Sequence, residues 1–251
     1  MARSEKDEIL RLKEVYKSFL QPSIFGGTLT KALNGVSFSV KKNEVFSLIG
    51  LNGSGKTTCI KTILGLTSAD SGEVSLFNSD GSDPRLRSRL GYLPEIPYFK
   101  GDFTPLEMLS FWGRLSGLRG NYLRERIDTV LGYTSLTQHA RKKLKGFSRG
   151  MLQRLGIAQT LLSDAEFLIL DEPMGGLDPR GMADIRRFIQ EIKEEGRTIL
   201  FSSHIISEVE KLADRVAMIH QGRIIKITSP HENLEEDFLR RIEKAEKDLN
   251  D

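Results

Sequence analysis

Cysteine, net charge and long apolar runs are all scarce in this chain, and each scarcity narrows what it can be. Its 251 residues include one cysteine, Cys59. No disulfide within the chain can brace the fold, and the usage suits a reducing compartment. No stretch comes near the roughly 18 consecutive apolar residues of a membrane-spanning helix, and the opening MARSEKDEIL is too charged for a secretory signal. The expectation is a soluble chain that relies on another protein for any step across a membrane. A net charge of +3 is too small to argue for a nucleic-acid partner, which a concentrated basic stripe would signal, and none is expected. Repeats and low-complexity tracts are missing too. The hydrophobic content, 39%, is that of an ordinary globular protein able to bury a sizeable core.

Pattern supplies the rest. EILRLKEV and ALNGVSFSV alternate as strands do, with a turn-rich stretch, QPSIFGGTLT, between them. VFSLIG is a short apolar run followed by a Gly-rich loop and a helix with Cys59, Ile60, Ile63 and Leu64 on one face. GEVSLFN reads as a strand. Thr104, Pro105 and Glu107 form a capping box with proline at the first helical position, and NYLRERIDTVL gives a second helix closing at Gly132. FSRGMLQR opens another, with Ser148 at the cap position. Strand–helix alternation then resumes: EFLIL, a helix from Asp178-Pro179 to Gly196, TILFSS, IISEVEKLAD, and the hairpin RVAMI-HQG-RIIKI.

The expected fold class is α/β: a P-loop NTPase core with a mostly parallel sheet, an antiparallel β subdomain at the N-terminal side and a helical insertion. As one domain, residues 1–91 and 161–229 would form the nucleotide-binding core with its β subdomain. Residues 92–160 would form the helical subdomain, and 230–251 a charged, solvated C-terminal helix.

Gly50-Leu51-Asn52-Gly53-Ser54-Gly55-Lys56-Thr57 fits G-x-x-x-x-G-K-[ST] after a strand and before a helix. Asn52, Gly53, Ser54, Gly55 and Thr58 would meet phosphate largely through backbone N–H groups. Lys56 supplies a point charge between the β- and γ-phosphates, and the Thr57 hydroxyl is a Mg²⁺ ligand. EFLIL ends in Asp171-Glu172, a carboxylate pair whose poor solvation at a buried strand end calls for a positive partner. Asp171 would reach Mg²⁺ through water, and Glu172 would polarise the attacking water. His204, after TILFSS, sits at a third strand tip where it can bond a γ-phosphate oxygen. His139, His220 and His231 lack such a setting, and Cys59 is most simply core.

GLNGSGKTT, FSRGMLQR, FLILDEP, GLDP and SSH, in that order, resemble the nucleotide-binding subunit of an ATP-binding cassette (ABC) transporter over nearly the whole chain. The resemblance implies ATP and Mg²⁺ as cofactors, and a second nucleotide-binding subunit, expected to be an identical copy. It also implies a separate membrane permease, with the chain held at the inner face of the plasma membrane. In that family two subunits face head to tail. Ser148, Arg149, Gly150 and Asp178 would therefore lie beside ATP held by the partner's phosphate loop. An aromatic near the first strand should stack on adenine; Phe19 is placed there, with Tyr16 the second choice.

Three departures stand out. Phe147, Arg149 and Met151 replace residues of the family's usual LSGGQ. Glu95, in GYLPE, stands where the family has glutamine and becomes a candidate Mg²⁺ ligand. The QPSIFGGTLT turn is long. YLPE with S-basic-G-M resembles the branch paired with ABC-2-type export permeases. Tyr98, Phe99 and Phe103 are candidates either for permease docking or for packing in the insertion. The competing class, a soluble ABC-type ATPase working on ribosomes or nucleic acid, usually carries two cassettes or a long coiled coil, and this sequence has neither.

Overall fold

The computed structural model describes residues 7–21 and 27–247. In chain order the elements are β1 (Glu8–Gln21), β2 (Thr28–Lys41), β3 (Val45–Ile49), α1 (Lys56–Ile63), β4 (Ser71–Leu76), β5 (Ser79–Asp80), β6 (Leu90–Leu93), α2 (Pro105–Leu115) and α3 (Gly120–Tyr133). There follow α4 (Arg149–Leu161), β7 (Phe167–Leu170), α5 (Pro179–Glu194), β8 (Thr198–Ser203), α6 (Ile206–Leu212), β9 (Arg215–His220), β10 (Arg223–Thr228) and α7 (Leu234–Lys247). The expected α/β class is the one found. Among the described residues no helix is long and apolar enough to cross a membrane.

Contacts divide the chain into two units. One runs to Leu86 and resumes at Thr198; the other is Arg87–Arg197. The division differs from the boundaries expected at 92 and 160, because β7 and α5 keep company with the helical segment.

In the first unit, β2-β1-β4-β5 form an antiparallel sheet. β3 lies between β8 and β9, parallel to both, and β10 returns antiparallel to β9. Every residue of β3 and β8 is buried, which is why VFSLI and TILFSS read as unbroken apolar or small runs rather than alternating ones. Phe38 of β2 stacks on Phe46 of β3 at 5.3 Å between centroids. The hairpin of β1 and β2 runs further than the sequence suggests: Ser18 pairs with Lys31 and Phe19 with Thr30. The ends of QPSIFGGTLT are thus strand, recruited by cross-strand pairing that outweighs local turn preference. The middle of that stretch, 22–26, lies outside the described residues. GEVSLFN is joined by a short return strand, β5, through Phe77 and Asn78. Both have φ near +55° (52° and 59°), the left-handed pair of a two-residue hairpin turn.

The C-terminal helix corrects an expectation. α7 is not merely solvated: Leu234, Asp237, Phe238 and Ile242 are buried on one face. Burial alone would raise the Asp237 carboxyl. Hydrogen bonds from Lys226, Arg241 and Arg240 outweigh it and hold the group well below the usual carboxylate range. A charge-dense sequence conceals this because the acid's partners include a residue of the preceding strand.

In the second unit β6 and β7 pair in parallel, and α2, α3 and α4 pack on one another. The capping box at Thr104 forms as expected: Glu107 N–H donates to the Thr104 hydroxyl at 3.2 Å, and Thr104 N–H to the Glu107 carboxylate at 2.8 Å. Gly113 lets α3 approach, since a Cβ there would fall 2.2 Å from Leu123 Cδ1.

Candidate active site

The Gly-rich loop leaves β3 at Ile49, which pairs with Ser203 of β8. Parallel pairing in register brings Gly50 and His204 out of the sheet side by side, so the first unit alone joins the phosphate loop to the histidine. The loop is braced from behind. Gly222 N–H donates to Ser54 O, and Asn34 N–H to Gly222 O, both at 2.8 Å. Gly55 has φ +109°, and a Cβ on it would lie 2.5 Å from Ala32 O; no other residue fits. Gly53, φ +78°, faces open space, where backbone N–H groups can meet a ligand.

Lys56 begins α1 yet is buried, 6% exposed. Its Nζ folds over the loop and donates to Gly50 O at 2.7 Å and Leu51 O at 3.3 Å. The ammonium charge therefore sits against the carbonyls at the start of the loop. α1 has no side-chain cap and no acidic residue in its first turn, which leaves its positive dipole end unanswered by the protein. Thr57 and Thr58 follow in that turn, both half-buried. Cys59 is fully buried, and burial pushes its thiol up to about 12, consistent with a core role.

Tyr16 and Phe19 both lie on β1 and are 38% and 42% exposed. Lys17 Nζ stands 5.5 Å from the Phe19 ring centroid, while the Tyr16 hydroxyl donates to Glu14 at 3.1 Å. Both rings are partly exposed.

The second unit gathers the carboxylates. β6 and β7 pair through Leu93 and Leu170, and Asp171 N–H donates to Leu93 O at 2.8 Å. Asp171 and Glu172 are 1% and 6% exposed, whereas Glu95, two residues past β6, is exposed. Glu172 has φ +48°, a left-handed conformation that costs a non-glycine residue about 1–3 kcal/mol and clusters at working sites. Sequence reading missed Tyr92 in this group. Burial, then the Asp171 and Glu95 carboxylates, push its phenol up to about 12.

Ser148 caps α4 as expected, its Oγ accepting from Met151 N–H at 3.3 Å. Asp178 caps α5, accepting from Gly181 N–H at 2.8 Å. Both are exposed at their helix starts. Two side chains tie these starts to the segment between β7 and α5, and neither tie is readable from the sequence. Gln153, buried, donates to Pro173 O at 3.1 Å. The Arg149 guanidinium lies over Gly176, where a Cβ would be 2.3 Å from Nη1. The Arg149 charge is thus placed against its own chain, leaving its N–H and that of Gly150 as what this helix start offers outward.

His220 is buried with Nε2 3.6 Å from Glu246, His231 lies 3.9 Å from Asp237, and His139 sits edge-on to Phe147 at 6.3 Å. None joins the loop or the carboxylates. Phe99 packs edge to face on Trp112 at 5.5 Å, whereas Tyr98 stands 87% exposed.

The donors present suit Mg²⁺. Each unit has a hard oxygen of the kind that ion takes, the Thr57 hydroxyl in the first and the Asp171 carboxylate in the second, and among the described residues no group of three His, Cys, Asp or Glu makes a protein-only metal cage. A cation that keeps water and phosphate oxygens as ligands needs no such cage.

Comparison with known proteins points to one family. The family model described as "ABC transporter" matches residues 33–175. The bacitracin transport ATP-binding protein BcrA of Bacillus licheniformis is 40% identical over 200 residues, 78% of this chain and 64% of that protein. The Nod factor export ATP-binding protein I of Ralstonia nicotianae is 37% identical over 202 residues, 80% and 63% of the two chains. Among solved structures, cbiO1 of Clostridium perfringens, part of the ABC transporter complex cbiONQ, superposes with a TM-score of 0.78 at 30% identity, covering 94% of each chain. The chain spans between 56% and 64% of the length of four of the curated relatives it matches.

Proposed function

The chain belongs to the ABC transporter family, and we propose that it is the ATP-binding and ATP-hydrolysing subunit of a transporter whose membrane path is supplied by a separate permease. The observation that carries this reading is the loop at the tip of β3: a buried ammonium, Lys56, folded among glycines at an uncapped helix start. Such a seat is made for polyphosphate.

In this reading the loop N–H groups and Lys56 hold the β- and γ-phosphates. Phe19, or Tyr16, stacks on adenine. Thr57 and Asp171 hold Mg²⁺, with Glu95 as a further ligand; the ion supplies charge neutralisation on the phosphates. Glu172 takes the proton of the attacking water, and His204 fixes the γ-phosphate from the neighbouring strand tip. A positioned base contributes about 10²–10⁴ in rate.

Two copies face each other. The Ser148 hydroxyl, the N–H groups of Arg149 and Gly150, and Asp178 complete the site on the partner's nucleotide. Hydrolysis releases the copies, and the permease uses that motion, with the exposed Tyr98 as a docking contact. The protein works at the inner face of the plasma membrane. The relative named for Nod factor export supports export as the direction.

Glu172→Gln tests the reading. It should keep nucleotide binding, slow turnover by about 10²–10⁴, and elute as a dimer in MgATP. A variant that stays monomeric and hydrolyses ATP at the wild-type rate overturns both the base assignment and the paired-site mechanism.

A further inference from the structure

The helical unit carries a basic groove that nucleotide chemistry does not use. Between α2 and α3 lies a cavity of about 450 Å³, within the size range of small-ligand sites. Its floor is apolar: Leu106, Leu123 and Ile127. Its rim is cationic: Arg114, Arg119 and Arg124, opposed by one carboxylate, Asp128.

Four other arginines of the same unit are neutralised. Arg89 pairs with Glu166, Arg126 and Arg197 with Asp164, and Arg154 with Asp184. Arg114 and Arg124 are exposed, and neither has an ion-pair partner among the described residues. Arg119 is fixed by donating to the carbonyl of Leu118 at 2.7 Å and to that of Arg114. Three cations held around an apolar floor suit an anion with an apolar part.

The surface beside the groove says which anion. Ser110 and Arg114 line the cavity from α2, and the next stripe of that helix presents Phe111 and Leu115, 59% and 75% exposed. A free phosphate has no use for them. A bilayer interface does, because it takes aromatic and aliphatic side chains at the headgroup boundary while arginines meet its negative charge.

We propose that this groove seats the headgroup of an anionic phospholipid, with Phe111 and Leu115 entering the interface beside it, so that the helical unit touches the bilayer directly. The contact is independent of ATP and of any permease, and a failure of either leaves it testable.

The experiment is co-sedimentation of the full chain with vesicles of phosphatidylcholine alone or mixed with phosphatidylglycerol, without nucleotide. Wild type should bind the mixed vesicles only. Each arginine removed should weaken partitioning about fivefold, so R114Q/R124Q loses roughly 25-fold, and F111S/L115S also loses binding. Both variants alter exposed residues and should keep the wild-type melting temperature. K100Q/K142Q, which removes the same charge from exposed positions outside the groove, should bind nearly as wild type. The proposal is overturned if R114Q/R124Q sediments like wild type, or if K100Q/K142Q loses as much. It is equally overturned if glycerol 3-phosphate raises the melting temperature while vesicles fail to bind, which would make the groove a seat for a soluble phosphate.

Discussion

Two helix starts, those of α1 and α4, both point N–H groups and a positive dipole end outward, yet they are finished in opposite ways. α1 has a glycine at its cap, no side-chain acceptor and a lysine folded into the preceding loop. α4 has its own acceptor in Ser148, and its arginine is laid over Gly176 of the same chain. The first is left incomplete until an anion arrives. The second is satisfied as it stands and has only a hydroxyl proton and two N–H groups to lend. In the proposed mechanism this difference separates binding from closure: one chain holds the nucleotide, and the second adds a contact only when the copies meet.

The largest test of that contrast is Lys56→Ala. It removes the charge around which the α1 seat is built, and addition of MgATP should no longer raise the melting temperature. A normal shift would mean that the loop N–H groups suffice and that the two starts are not so different. Gly176→Ala comes next. With φ +68° and a Cβ colliding with the Arg149 guanidinium, it should cost about 1–2 kcal/mol in urea unfolding while leaving nucleotide binding by the single chain intact. Ser148→Ala removes a helix cap worth about 1 kcal/mol. It should weaken the MgATP-dependent dimer of the Glu172→Gln chain and not change nucleotide affinity of the monomer; a fall in monomer affinity would couple what the contrast separates. The smallest effect belongs to Arg149→Ala. As an exposed side chain offering no charge outward, its loss should shift stability by less than about 0.5 kcal/mol and leave dimer formation unchanged. A large loss of dimer would show the guanidinium swinging to the partner's phosphate.

What could be read in the sequence is what short-range chemistry decides. The glycines and lysine of residues 50–57, the caps Thr104, Ser148 and Asp178, and the apolar runs of β3 and β8 each act within a few residues. What could not be read rests on partners distant in sequence. β6 finds β7 some 77 residues on, Leu90 opposite Phe167, so Tyr92 and Leu93 read as the start of a helical segment. Gln153 and Arg149 matter through Pro173 and Gly176, and Asp237 through Lys226. Of the three aromatics after Glu95, only tertiary packing could tell that Phe99 turns to Trp112 while Tyr98 stays in solvent. The candidate site residues were legible as types and positions. The bracing of the phosphate loop by Gly222 and Asn34 was not.

Tyr92 carries a last consequence. With its phenol pushed up to about 12 by burial and by the Asp171 and Glu95 carboxylates, it stays uncharged at every pH a cell reaches. It therefore offers a neutral polar wall instead of a third negative charge. The electrical state of that tip is then left to its acids and to whatever cation they attract. Tyr92→Phe should be silent in a pH profile of turnover, whereas a second acid in its place would not be.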